Sequence, residues 1–147
     1  MCSSDLKLNE EMRTMTLRMG RKLAELLMHV APTPLAEEWL TRIVKRATPG
    51  TFPVVLALVF ATQGLSERQA FAAHQYGVAT MMLSAALRLM KISYLDGQAI
   101  LREVNTLADK VYRSSAAAAV EDMSAFAPLA DILAAIHVKS HVRMFMN

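Results

Sequence analysis

An all-α fold, a single-domain helical bundle of about six helices around a central buried helix at residues 66–90, is what three features of the sequence predict. Apolar residues recur at steps of three and four over most of the chain; Pro, Gly and Ser interrupt that pattern at short turns; and one stretch, Ser66 to Met90, is apolar on nearly every side. A helix of that last kind belongs inside a bundle rather than on its surface.

The first helical pattern covers residues 6–30, where Leu8, Met12, Met15, Met19, Leu23, Leu26 and Val30 form one stripe and Glu10, Glu11, Arg13, Arg18, Arg21 and Lys22 lie mostly elsewhere. The methionines of this stripe pack in the core or form a surface that a partner covers, and both readings stay open. Pro32 and Pro34 stop the helix. Leu35 to Ala47 is a shorter amphipathic helix with Trp39, Leu40, Ile43 and Val44 inward and Glu37, Glu38, Arg42, Lys45 and Arg46 outward, ended by Thr48, Pro49 and Gly50. Phe52 to Thr62 has the composition of a buried strand. Its length, Pro53 at a first-turn position and Gly64 as a C-terminal cap favour a buried helix.

The expected hub opens with Ser66 and Gln69 in capping-box spacing. Phe71, Val78, Met81, Met82, Leu83, Leu87 and Leu89 supply bulk, while Ala73, Gly77, Thr80 and Ser84 form a small-residue stripe along which another helix can approach closely. Ser93 or Asp96 then caps a long helix from about Gly97 to Val120, with Ile100, Val104, Leu107 and Val111 inward and Arg102, Glu103, Asp109, Lys110 and Arg113 outward. A last helix begins near Pro128 and runs through Asp131, Ile132, Ile136 and His137 towards Arg143.

Composition narrows the function. The chain is 54% apolar with eleven methionines, an excess that predicts an exposed patch covered by another protein. Its longest apolar runs, Pro53 to Ala61 and Val78 to Leu87, fall short of the roughly 18 residues a membrane span needs. The net charge of +3 is spread evenly, with eight basic and six acidic side chains in residues 1–49 and eight and seven in residues 50–147, which argues against a nucleic-acid partner. Cys2 stands alone, so neither a disulfide framework nor a thiolate zinc site is expected, and a reducing cytoplasm fits. A glycine-rich phosphate loop, a strand for a nucleophile elbow and a spaced carboxylate pair are all missing, so catalysis is not the expected role.

Three constellations have more than one reading. His137 and His141, four apart, have the spacing of a nickel or zinc chelate, or sit in a polar C-terminal turn where they oppose the helix dipole. His74 lies among apolar neighbours and reads as a hydrogen-bonded core residue before it reads as a ligand. Arg88 either pairs with Asp131 or extends its stem to solvent from the helix end.

Taken together, Glu11-Met12-Arg13, Met19-Gly20-Arg21, Gly50 with Pro53-Val54-Val55, Gly64-Leu65-Ser66, Ser84-Ala85-Ala86 with Arg88-Leu89, Asp96-Gly97-Gln98, Phe126-Ala127-Pro128-Leu129 with Asp131-Ile132, and His137, Arg143 and Phe145 resemble, in order and spacing, the urease accessory protein F family. The chain departs from the family pattern at Thr51, at Lys91, Ser93 and Tyr94, and in the tail at Val138, His141, Val142 and Met144. The family's N-terminal portion has no counterpart, so residues 1–147 are expected to match its C-terminal two-thirds. The resemblance implies an all-α, non-catalytic adaptor without a cofactor of its own. It implies partners in nickel-dependent urease maturation: accessory protein D/H, the GTPase G and apo-urease, with the chain a homodimer. Partner contacts are then expected at His137, Arg143, Phe145, Arg88 and Gln98. The rival readings are a small helical metal-binding protein using His137 and His141, and an inactive truncated family member.

Overall fold

The computed structural model describes residues 9–124 and 126–137, and among them the chain is all-α, with six α-helices, one short 3-10 turn and no strand. The helices are α1 (Glu10–Val30), α2 (Pro34–Val44), α3 (Phe52–Thr62), α4 (Glu67–Leu89), α5 (Tyr94–Ala116) and α6 (Pro128–His137), with the 3-10 turn at Val120–Asp122. They fall into two compact units: α1, α2, α3 and α6 in one, α4 and α5 in the other.

In the first unit, short polar side chains set the helix starts. Asn9 Oδ1 accepts from the backbone N–H of Glu11 at 2.8 Å and of Met12 at 3.3 Å, and Thr33 Oγ1 accepts from Ala36 N–H at 3.2 Å ahead of Pro34. α2 closes through Arg46, which takes a left-handed φ of 58° while its N–H bonds Ile43 O and the Ala47 N–H reaches back to Arg42 O. That is a Schellman closure built without glycine, two residues earlier than the expected stop at Thr48. The strand-or-helix question at Phe52–Thr62 resolves as helix: Thr51 O accepts from the N–H groups of Val54 and Val55, and Gly64 follows with φ 74°.

α1 packs against both α3 and α2. The core is Ala24, Ile43 and Val55, the last fully buried, with Leu23, Trp39 and Leu40 against it. The tightest approach is at Gly20. A Cβ there would run into Gly50 O and come within 2.8 Å of Phe52 N and Thr51 C, so α1 touches the backbone entering α3 where only hydrogen fits.

This contact turns α1 about its axis relative to the stripe expected from bulk. Gly20, Ala24 and Leu27 are the buried positions, whereas Met15, Met19, Leu26 and Val30 are 40%, 43%, 55% and 71% exposed. α2 keeps its expected face, with Trp39, Leu40 and Ile43 turned to the core, and only Val44 of the expected inward residues lies outside. Small residues allow close helix approach, and the bulky stripe beside them is left uncovered.

The second unit corrects the expected hub. α4 has no buried residue, and within its unit it has one helical neighbour, α5, which covers a single face. Its start is as expected: Ser66 N–H donates to Gln69 Oε1 at 2.9 Å, and Gln69 N–H to Ser66 Oγ at 3.4 Å. Gly77 is exposed, and a Cβ there would meet nothing within 4 Å, so the expected close approach is not made. α5 begins three residues before the expected Gly97, capped by Ser93 with Asp96 completing the box. Its buried residues are Gly97 and Leu101, while the expected inward residues Ile100, Leu107 and Val111 are exposed.

The two glycines predict opposite responses to the same change. Gly20→Ala should destabilise the fold by about 1–3 kcal/mol, because backbone must shift, whereas Gly77→Ala should stabilise it by about 0.5–1 kcal/mol through helix propensity alone. Urea midpoints of the two variants against the parent chain check this.

Candidate partner-binding surface

Five residues were expected at a partner contact, and the described structure places three of them. Gln98 is exposed in the first turns of α5, and Arg88 is exposed in the last turn of α4, where its charge suits the carbonyl end of the helix. His137 is the last residue of α6, in the other unit. Arg143, Phe145 and His141 lie outside the described residues. Arg88 and Gln98 therefore flank the same turn, the one that joins α4 to α5.

That turn is built by its caps. Met90 N–H closes α4 on Ala86 O at 2.7 Å, and Ser93 reopens the helix two residues on from Lys91. Ser93 N–H donates to Asp96 Oδ2 at 3.0 Å while the Ser93 hydroxyl donates to the same oxygen at 2.6 Å. The hydroxyl, and after it the backbone N–H, holds the Asp96 carboxyl below the ordinary carboxylate range. With so short a turn, the large apolar residues on both sides of the caps are pushed outward. Leu89, Met90, Tyr94 and Leu95 are 59%, 63%, 65% and 75% exposed.

The result is an apolar tip edged by Arg88 and Gln98. Next to it Gln98 shares a groove of about 500 Å3 with Tyr76, Leu101, Arg102, Asn105 and Thr106, a lining that mixes a phenol, amides and a guanidinium. Exposed aromatic and aliphatic groups rimmed by polar ones are the composition of a protein-binding surface. The sequence places Leu89 with the bulk of the expected hub and gives Met90, Tyr94 and Leu95 no inward or outward face; four large apolar side chains around two helix caps was the available signal. His74 is exposed on α4 rather than in a core, and no three His, Cys, Asp or Glu side chains come together among the described residues.

Comparison with known proteins gives this surface a context. The family model UreF matches residues 2–105. The chain belongs to the UreF family. It is similar to urease accessory protein UreF 1 of Brucella melitensis biotype 1, at 55% identity over 141 residues that make up 96% of this chain and 58% of that protein. The UreF 2 protein of Brucella suis biovar 1 gives the same figures. The UreF protein of Yersinia enterocolitica is 48% identical over 141 residues, 96% of this chain and 62% of its own length. The chain thus spans less than two-thirds of the length of these curated UreF relatives. No solved structure matches it.

The α4–α5 pair of this UreF chain is held at the end opposite the tip by a charged and an aromatic contact. Arg68 on α4 donates to Asp109 Oδ1 on α5 at 2.6 Å through its terminal nitrogen and at 2.7 Å through Nε, and Arg113 donates to Oδ2 at 3.1 Å. Phe71 and Tyr112 stack nearby with centroids 5.6 Å apart and planes tilted by 56°. Arg68 first, then Arg113, holds the Asp109 carboxyl below its ordinary range. A carboxylate with a lowered folded-state pKa stabilises the fold above the unfolded-state value near about 4 and loses that contribution as pH falls through the folded value. Asp109→Asn should therefore melt below the parent chain at pH 7, and the gap should close in acid. Thermal melts at pH 7 and at about pH 3 test it.

Proposed function

We propose that the chain acts by binding, as a non-catalytic adaptor in nickel-dependent urease maturation in the cytoplasm. In this reading it forms a homodimer, engages accessory protein D/H, and recruits or regulates the GTPase G on apo-urease. Membership of the UreF family, with relatives named urease accessory proteins, carries the reading. The exposed tip at the α4–α5 turn supports it, since an adaptor needs uncovered apolar surface and a catalyst needs converging reactive groups. In the same reading His137, Arg143 and Phe145 meet a partner through the C-terminal segment, and Arg88 and Gln98 meet one at the turn. Tyr94 is the best-placed anchor there, because a large rigid ring gains contact area at little cost in side-chain entropy.

Co-purification tests this. The chain mixed with accessory protein D/H and with the GTPase, in each nucleotide state, should co-elute with at least one of them; retention of neither would defeat the adaptor reading. Leu95→Asp, at an exposed position, should weaken the complex at least about tenfold while leaving the melting temperature of the free chain unchanged.

A further inference from the structure

The bare stripe on α1 has an edge of definite sign. Met15, Met19, Leu26 and Val30 span fifteen helical steps, about 22 Å. On one side the stripe borders the face packed on α3 and α2. On the other it is bordered by Arg18 and Lys22. Lys22 Nζ and Arg21 Nε both bond Glu25, at 2.8 and 3.0 Å, so two cations share one carboxylate. Arg18 adds a third cation, exposed, one turn before Lys22. Glu11 lies in the same row one turn before Met15, so the edge carries three cations against two carboxylates and is net positive, with the excess at Arg18 and Lys22, and His29, also exposed, adds further donor capacity at its C-terminal end.

We propose that this stripe seats an amphipathic helix of a partner protein that carries acidic side chains along one edge. The apolar seam supplies contact area, and the cations favour carboxylates in one orientation of the incoming helix. A membrane surface would call for a broad apolar face, whereas this seam is narrow and hemmed in by packed helices on one side. The proposal rests on the adaptor reading in taking the occupant to be a protein, and it adds the chemistry of that occupant.

The probe is a pair of synthetic helical peptides of about 16 residues, identical in their leucine stripe, one with glutamates and one with lysines along the edge. Fluorescence anisotropy at low salt should show the glutamate peptide binding at least about tenfold tighter than the lysine peptide. Met19→Glu with Leu26→Glu, both at exposed positions, should abolish that binding with unchanged circular dichroism and melting temperature. Arg18→Glu with Lys22→Glu should reverse the preference between the peptides.

Equal binding of the two peptides, or undiminished binding by the stripe variant, would overturn the proposal. So would self-association of the parent chain that the stripe variant loses, or binding to vesicles of phosphatidylserine and phosphatidylcholine that the stripe variant loses. Co-elution with accessory protein D/H and the GTPase is scored separately: peptide failure with intact co-elution removes the α1 seat alone, and peptide discrimination without co-elution removes the urease assignment alone.

Discussion

The first unit depends on a contact in which there is no side chain. At Gly20, α1 lies against the backbone of Gly50, Thr51 and Phe52, and the missing Cβ is what lets it. Gly50 is held on its other side, since a Cβ there would meet Ile43 at 2.5 Å, and its φ of 63° suits glycine. Once Gly20 is seated, the rotation of α1 about its axis is set. Ala24 and Leu27 fall inside, Ala24 meets Ile43 and Val55, and Trp39 and Leu40 close over them. The methionine stripe is turned to solvent by the same event.

The second unit is held differently. α4 and α5 pair without a deep core. Two capping boxes define where each helix begins, and a shared carboxylate, Asp109, links Arg68 on one helix to Arg113 on the other. Exposed ion pairs of this kind contribute little singly, so the pairing of Phe71 with Tyr112 and the burial of Leu101 carry the apolar share. A two-helix pair covers one face of each member. An alanine-rich helix apolar all round consequently keeps much of its surface open.

Both units therefore end with apolar surface that their own packing does not use, at the α1 stripe and at the α4–α5 tip. The two differ in kind. The tip is compact, aromatic and close to a helix junction, whereas the stripe is linear and edged by positive charge. Surfaces so unlike present different chemistry to an approaching protein.

Helix positions were legible in the sequence because caps and breakers act locally. Ser66 with Gln69, Pro34, Pro53 and Gly64 act through bonds within a few residues of themselves, and each stands in the structure where its spacing placed it, while of the two caps offered for α5 the structure uses Ser93, with Asp96 as its partner. The family was legible too, from the order of short motifs. In α1 and α5 the face that turns inward was decided by the tertiary structure alone, whereas in α2 Trp39, Leu40 and Ile43 lie inward as their spacing placed them. In α1 the bulky stripe and the small-residue face are adjacent, and hydrophobic periodicity ranks them by bulk. There α1 instead meets its neighbours along the small residues Gly20 and Ala24, because dispersion and backbone proximity depend on distance of approach, a property of two elements together that one element's sequence does not contain.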